Sequence, residues 1–263
     1  MAAAVTKTAI RVVLLDIGEN IHGLLFLYPL TLMLIKIRLG PVNEYPYSLS
    51  ALPEVLTTKW DSPSFAPYLD AFPKEYRTTP ATLTAHVQDL VARDVKASYL
   101  KSLQGLLWKE GYASGALKAP LFTDVLPALS AWHAAGIKLM IYSSGSVPAQ
   151  KLLFQHTSVV DQPDEDTNSL GKDINPLLSD YFDTINAGPK TATSSYASIL
   201  AAHAADFPAA SSWLFLSDNV LEVAAAKEAG LQSFVVQRPG NAPLAASVTS
   251  EHRVITTFAG LEL

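Results

Sequence analysis

The chain of 263 residues has no cysteine. That excludes a disulfide framework, a thiolate nucleophile and any zinc site with cysteine ligands, and it is compatible with a reducing compartment. The six histidines (His22, His86, His133, His156, His203 and His252) are scattered, with no HExxH pair, so they read as surface and packing residues. There is no basic block either. Nineteen Lys and Arg against 24 Asp and Glu leave a formal charge of −5, with no Lys/Arg stripe among aromatics, which argues against nucleic acid as a partner. The first residues carry Lys7, Arg11 and Asp16 where a secretory signal would keep an apolar core, so no such signal is expected. A spanning helix needs ~20 predominantly apolar residues. The best candidate, LLFLYPLTLMLI (Leu24–Ile35), holds Pro29, and extending it from Ile21 to Leu39 takes in Lys36 and Arg38. It reads as a buried or interfacial segment in preference to a true span, with a membrane-associated variant anchored by Leu24–Ile35 as a rival reading.

What is present is a chain 49% hydrophobic, long enough for one large domain or a core with an inserted second unit. Three apolar runs end in small or acidic residues: IRVVLLD (Ile10–Asp16), IKLMIYSSG (Ile137–Gly145) and SSWLFLSD (Ser211–Asp218). A fourth, QSFVVQRPG (Gln232–Gly240), ends in Pro-Gly. Short continuous runs of Val, Ile and Leu suit strands covered on both faces. Helical patterns lie between them, in DVLPALSAWHAAG (Asp124–Gly136), VPAQKLLFQHT and NVLEVAAAKEAG, the first and last closed by glycine. This alternation predicts an α/β fold with a doubly wound parallel sheet. Ligands of such sheets sit outside the carboxyl ends of the strands, where Asp16, Ser143, Ser144 and Asp218 fall.

The alternation breaks for some 120 residues after the first strand. ATLTAHVQDLVARD and KASYLKSLQGLLWKEGY there carry apolar residues at three- and four-residue spacing, which predicts an inserted helical cap. The expected division is residues 1–17 plus 118–263 as core and 18–117 as cap. The polar, turn-rich segment Asp161–Asp183 reads as a loop with a short strand or hairpin.

Four features stand in the right order for phosphoryl transfer to an aspartate. Asp16 can attack phosphorus; Ser143, Ser144 and nearby N–H groups can hold phosphate oxygens; Lys190 can neutralise charge; Asp218 can ligate Mg²⁺, a hard cation that takes oxygen donors. Each has a plainer alternative when read singly. Asp16 could end a strand in a turn, the serines or Asp218 could cap helices, and Lys190 could be solvated, with Lys172 as its competitor. Glu222, one turn beyond Asp218, reads as an exposed or supporting carboxylate, and Trp108, Lys109 and Tyr112 read as packing and surface residues.

With these residues in this order the chain resembles the haloacid-dehalogenase-like (HAD) phosphatases, and among them the enolase-phosphatases (acireductone synthases) of methionine salvage. The resemblance is carried by VVLLDI, LKAPLFTDVLPALSAWHAAGIKLMIYSSGSVPAQKLLF, DYFDTINAGPKT and WLFLSDNVLEVAAAKEAGLQSFVVQRPGNAPL. It implies a HAD-like Rossmann-type core with a helical cap, a Mg²⁺ cofactor and the substrate 2,3-diketo-5-methylthiopentyl 1-phosphate, enolised and then dephosphorylated. It implies Asp16 as nucleophile and metal ligand, Ser143, Ser144 and Lys190 as substrate-binding residues, and Asp218 as the second metal ligand. It further implies a monomer, cytoplasmic and also nuclear, without nucleic-acid or membrane partners.

The chain departs from the family where Asp-Ile-Glu-Gly-Thr is expected: it reads Asp16-Ile17-Gly18-Glu19-Asn20. The carboxylate that protonates the departing oxygen is replaced by Gly18, and Glu19 comes one residue late. A positioned general acid contributes roughly 10²–10⁴-fold, so impaired turnover is expected. The atypical stretch continues to about Tyr45. Two rival readings follow: a non-catalytic protein that binds a phosphometabolite, and a HAD phosphatase for another small phosphomonoester.

Overall fold

The computed structural model describes residues 9–17, 44–93, 95, 97–117, 119–159, 172–239 and 241–263. Gly18, Glu19 and the apolar run Leu24–Ile35 therefore lie outside the described residues. The chain divides into two compact units, one with the N-terminal strand and most of the chain after residue 118, the other with residues 42–118.

Strand β1 (Val12–Ile17) has six buried residues, as its unbroken apolar run requires. The helical unit follows, with α1 (Glu44–Lys59), α2 (Ala66–Asp70), α3 (Pro80–Ala92) and α4 (Ser98–Ala113). Thr79 starts α3 by accepting the Thr82 N–H at 3.1 Å, and Pro80 fits a first turn that needs no N–H of its own. Leu83, Val87 and Leu90 on α3 meet Leu52 and Leu56 of α1 and Leu100, Leu103 and Leu107 of α4 in one buried cluster. Trp108 and Tyr112 are buried on α4 and Lys109 is exposed.

The α/β unit continues with β2 (Ala119–Leu121), α5 (Val125–Ala134), β3 (Lys138–Ser143), α6 (Val147–Gln155) and β4 (Thr157–Val159). After these come β5 (Leu178–Phe182), α7 (Thr193–Ala202), β6 (Trp213–Ser217), α8 (Val220–Glu228), β7 (Gln232–Val236), α9 (Ala246–Glu251) and β8 (Val254–Ile255). Among the described residues the main sheet has six parallel strands in the order β5-β3-β1-β6-β7-β8, and β2 pairs with β4 in a separate parallel pair. The expected strands and helices are all present, and the strand hidden in Asp161–Asp183 is β5. From β1 the chain winds outward through β3 to β5, then crosses back to build β6, β7 and β8 on the other side. That reversal opens a crevice at the carboxyl ends of β1 and β6.

Register fixes what reaches the crevice. Asp16 lies opposite Tyr142 and Ile17 opposite Ser143, while Leu15 lies opposite Leu216, so Asp16 is level with Ser217. Alternation puts Asp16, Tyr142 and Ser217 on the face that carries Val12, Leu14, Met140, Trp213 and Phe215. Those residues are buried with Tyr196 and Ile199 of α7 and Ala225 and Ala226 of α8, so both helices cover that face. No helix among the described residues is long and apolar enough to cross a membrane.

Candidate active site

Asp16 is fully buried at the tip of the central strand. A buried carboxylate needs compensation, and Lys190 and Ser217 supply it. Lys190, from the loop before α7, forms an ion pair with Asp16 Oδ1. Its ammonium also lies 2.8 Å from Glu222 Oε2, carried by α8. The Ser217 hydroxyl lies 2.7 Å from Asp16 Oδ2 and 3.0 Å from Glu222 Oε2, and it accepts the Asn219 N–H at 3.1 Å. A hydroxyl has one proton, so Ser217 can donate to one carboxylate at a time. Lys190 and Glu222 are only 7% and 6% exposed, so all three charges sit away from bulk water. Burial pulls the Lys190 ammonium down, but the carboxylates of Asp16 and Glu222 outweigh it and hold the group above the ordinary lysine range. Burial, reinforced by those carboxylates, pushes the Tyr142 hydroxyl up to about 12.

The other expected residues stand around this cluster. Ser143 Oγ donates to the Ile17 carbonyl at 2.9 Å and accepts the Gly145 N–H at 3.2 Å, so it braces the tips of β1 and β3 against each other. Ser144, the next residue, is exposed. The loop they belong to is tied down by Gln150, whose amide donates to Gly145 O at 2.7 Å and Phe182 O at 2.9 Å. Asp183 Oδ2 accepts the Val147 N–H at 3.0 Å at the start of α6. Asp218 follows Ser217 and accepts from Asn241 Nδ2 at 2.8 Å. Lys172, the competing lysine, is exposed and pairs through its backbone with Thr157.

Two participants go beyond the sequence expectation. Of the two alternatives for Glu222, exposed or supporting, the structure has the second: it is a buried ion-pair partner of Lys190, because α8 turns that side chain toward the sheet. Ser217 gave no signal beyond its place beside Asp218. The offset of one helical turn between Asp218 and Glu222 was the only hint of a second acid.

No family model matches the chain. A comparison with curated proteins finds enolase-phosphatase E1 of Podospora anserina, 60% identical over 215 residues, spanning 82% of this chain and 87% of that protein. Enolase-phosphatase E1 of Pyricularia oryzae is 52% identical over 254 residues, spanning 97% and 99% of the two chains. The chain belongs to the enolase-phosphatase E1 family. Among solved structures, this enolase-phosphatase E1 homologue is similar to the UTR4 protein of Saccharomyces cerevisiae, with a TM-score of 0.75 and 35% identity over 96% of this chain and 100% of the other. CbbY of Rhodobacter sphaeroides, solved in complex with phosphate, matches with a TM-score of 0.53 at 16% identity, which speaks for the shared HAD-like fold alone.

Proposed function

We propose that the chain is a Mg²⁺-dependent enolase-phosphatase of methionine salvage, acting on 2,3-diketo-5-methylthiopentyl 1-phosphate through an aspartyl-phosphate on Asp16. The observation that carries this reading is the Asp16–Lys190 ion pair, buried at the crevice where the winding of the sheet reverses. One Asp16 oxygen forms a bond to phosphorus as the bond from phosphorus to the substrate oxygen breaks; the departing oxygen takes up a proton from water, and a second water then cleaves the aspartyl-phosphate to release inorganic phosphate and restore Asp16. The Lys190 ammonium offsets negative charge on the phosphate and on the attacking carboxylate. Ser144 and the N–H groups that lead into α6 receive phosphate oxygens, and Ser143 serves the same subsite by holding its loop to the tip of β1. The inserted helical unit takes the part of the cap, within a division into residues 1–17 plus 118–263 and 18–117.

The donor set suits a hard divalent cation. Asp16, Glu222 and Lys190 together leave an excess of one negative charge in a buried space, and Asp218 adds a carboxylate at the adjoining strand tip. Among the described residues no three acids or histidines form a metal cage by themselves. Mg²⁺ does not require one, because it is commonly held by one or two carboxylates, with water and substrate phosphate completing its shell. Asp16 and Asp218 would hold it, and when bound it would supply charge neutralisation to the phosphate.

Gly18 has no proton to give the departing oxygen, which supports slowed turnover and also favours the rival reading of a phosphometabolite-binding protein. Phosphate release from the diketo phosphate and from simple phosphomonoesters, with Mg²⁺, tests both. The expected result is slow release by the wild type, none by Asp16→Asn, and a rise of about 10²-fold or more in Gly18→Glu. Wild-type turnover equal to that of a relative with the complete acid motif would overturn the impairment. Thermal stabilisation by substrate, with no release from any variant, would favour the binding protein.

A further inference from the structure

Lys190 lies in the loop between β5 and α7, and three consecutive carbonyls of that loop each accept a hydrogen bond from a side-chain hydroxyl. Gly188 O accepts from Tyr142 Oη, Pro189 O from Ser195 Oγ and Lys190 O from Tyr196 Oη, each at 2.7 Å. Pro189 O also accepts the Ala192 N–H at 3.0 Å. The hydroxyls come from two elements, Tyr142 from β3 and Ser195 and Tyr196 from the start of α7. Tyr142 and Tyr196 are fully buried and Ser195 is 2% exposed, so water cannot readily replace any of them. Gly188 has φ +103°, and a Cβ there would lie 2.7 Å from Ser195 Oγ, so the loop approaches its clamp more closely than a larger residue permits.

The rings reinforce the arrangement. Tyr142 and Tyr196 meet edge to face with centroids 5.5 Å apart, and the Lys190 ammonium lies 5.9 Å from the centre of the Tyr142 ring. A lysine side chain is long and flexible, so its position depends on where its backbone is anchored. Here the ammonium must enter a buried space and meet carboxylates from both β1 and α8.

We propose that Tyr142, Ser195 and Tyr196 are positioning residues for Lys190, their hydroxyls fixing the backbone of residues 188–190 so that the ammonium is delivered between Asp16 and Glu222. The inference rests on the phosphatase reading of this site and deepens it by naming what holds the cation in place. None of the three hydroxyls is required to touch substrate; they act through Lys190.

The test is a double-mutant cycle read by equilibrium binding of orthovanadate, a phosphate mimic, with Mg²⁺ present, so that turnover is not needed. Lys190→Met should weaken vanadate binding about 10-fold or more, and Tyr196→Phe and Ser195→Ala each by about 3–10-fold, the range of one lost hydrogen bond. In the Lys190→Met background both hydroxyl substitutions should become nearly silent, because the residue through which they act is gone. Lys190→Met combined with Glu222→Gln removes the ammonium together with one of the two carboxylates it pairs with, and serves as the second background where Lys190→Met alone does not fold. Ile199→Val, in the same buried cluster but away from the loop, should lower stability and leave vanadate affinity unchanged. The positioning inference is overturned by wild-type affinity in Tyr196→Phe and Ser195→Ala, or by the same fold-loss in both backgrounds. If Lys190→Met, alone or with Glu222→Gln, itself binds vanadate like the wild type, the reading of the site fails, and the inference with it; that result is visible before any hydroxyl is altered.

Discussion

Two carboxylates and one ammonium share the buried space at the tip of β1, so the sign of the charge removed decides what a substitution costs. Lys190→Met removes the ammonium that Asp16 and Glu222 share and leaves two buried carboxylates facing the one Ser217 hydroxyl. Breaking a buried pair in this way costs about 3–5 kcal/mol, because the remaining charge is left uncompensated. Glu222→Gln leaves one acid with one ammonium and keeps the shape of the side chain, and its amide oxygen can still accept from Ser217 and Lys190 while the bond from Asn219 is lost. Its expected cost is about 1 kcal/mol, that of one ordinary hydrogen bond. Urea denaturation at neutral pH without Mg²⁺ measures both, and equal losses would refute the charge argument. At this scale the sequence was legible at the strand ends. Asp16, Ser143, Ser144 and Asp218 could be placed there because the apolar runs of buried parallel strands stop at them. Glu222 could not be placed, because its burial depends on a lysine 32 positions away in the chain, and no local pattern encodes such a partner.

Elements were legible in proportion to their length and to how fully they are buried. β1, β3, β6 and β7 are continuous apolar runs, and α5 and α8 end in glycine as their sequences suggest. The glycine signals have a specific structural cause. Gly136 donates to His133 O and Ile137 to Trp132 O, and Gly230 donates to Lys227 O and Leu231 to Ala226 O, the paired bonds of a Schellman turn. Gly136 has φ +82° and Gly230 φ +94°, a region that costs an L-residue about 1–2 kcal/mol. Gly136→Ala, with open space around the new methyl, should lose about that much in a urea titration. Gly230→Ala should lose more, because its Cβ would meet the Ala210 Cβ at 3.3 Å. Loss in Gly136→Ala equal to or above that in Gly230→Ala would contradict this account. Among the elements not singled out, β2 and β4 have three residues each and β8 has two, too few for any periodicity, and α1 carries Pro53 inside its helix. β5 was expected only as a short strand or hairpin, because exposed and half-buried polar positions place it inside a polar stretch.

For the whole molecule, the 120-residue interruption between apolar strands was the legible fact, and among the described residues each compact unit has a buried cluster of its own. The cluster of the helical unit includes Leu52, Leu56, Leu83 and Leu103, that of the α/β unit Leu14, Met140, Tyr142 and Phe215, and they share no residue. Local opening follows the distribution of buried apolar contact, so units with separate cores can lose protection separately. Leu56→Ala, at a fully buried position of α1, should cost about 2–5 kcal/mol. Hydrogen-exchange mass spectrometry should locate that cost in α1, α3 and α4, with the amides of β1, β3 and β6 exchanging as in the wild type. Leu14→Ala, fully buried in β1, should give the mirror image, faster exchange in the parallel sheet and unchanged exchange in α3 and α4. The pair of variants is needed because one alone could reflect a general loss of stability. If each substitution speeds exchange in both units by the same factor, the two cores unfold as one cooperative body and the inserted helices are part of the catalytic fold's own stability.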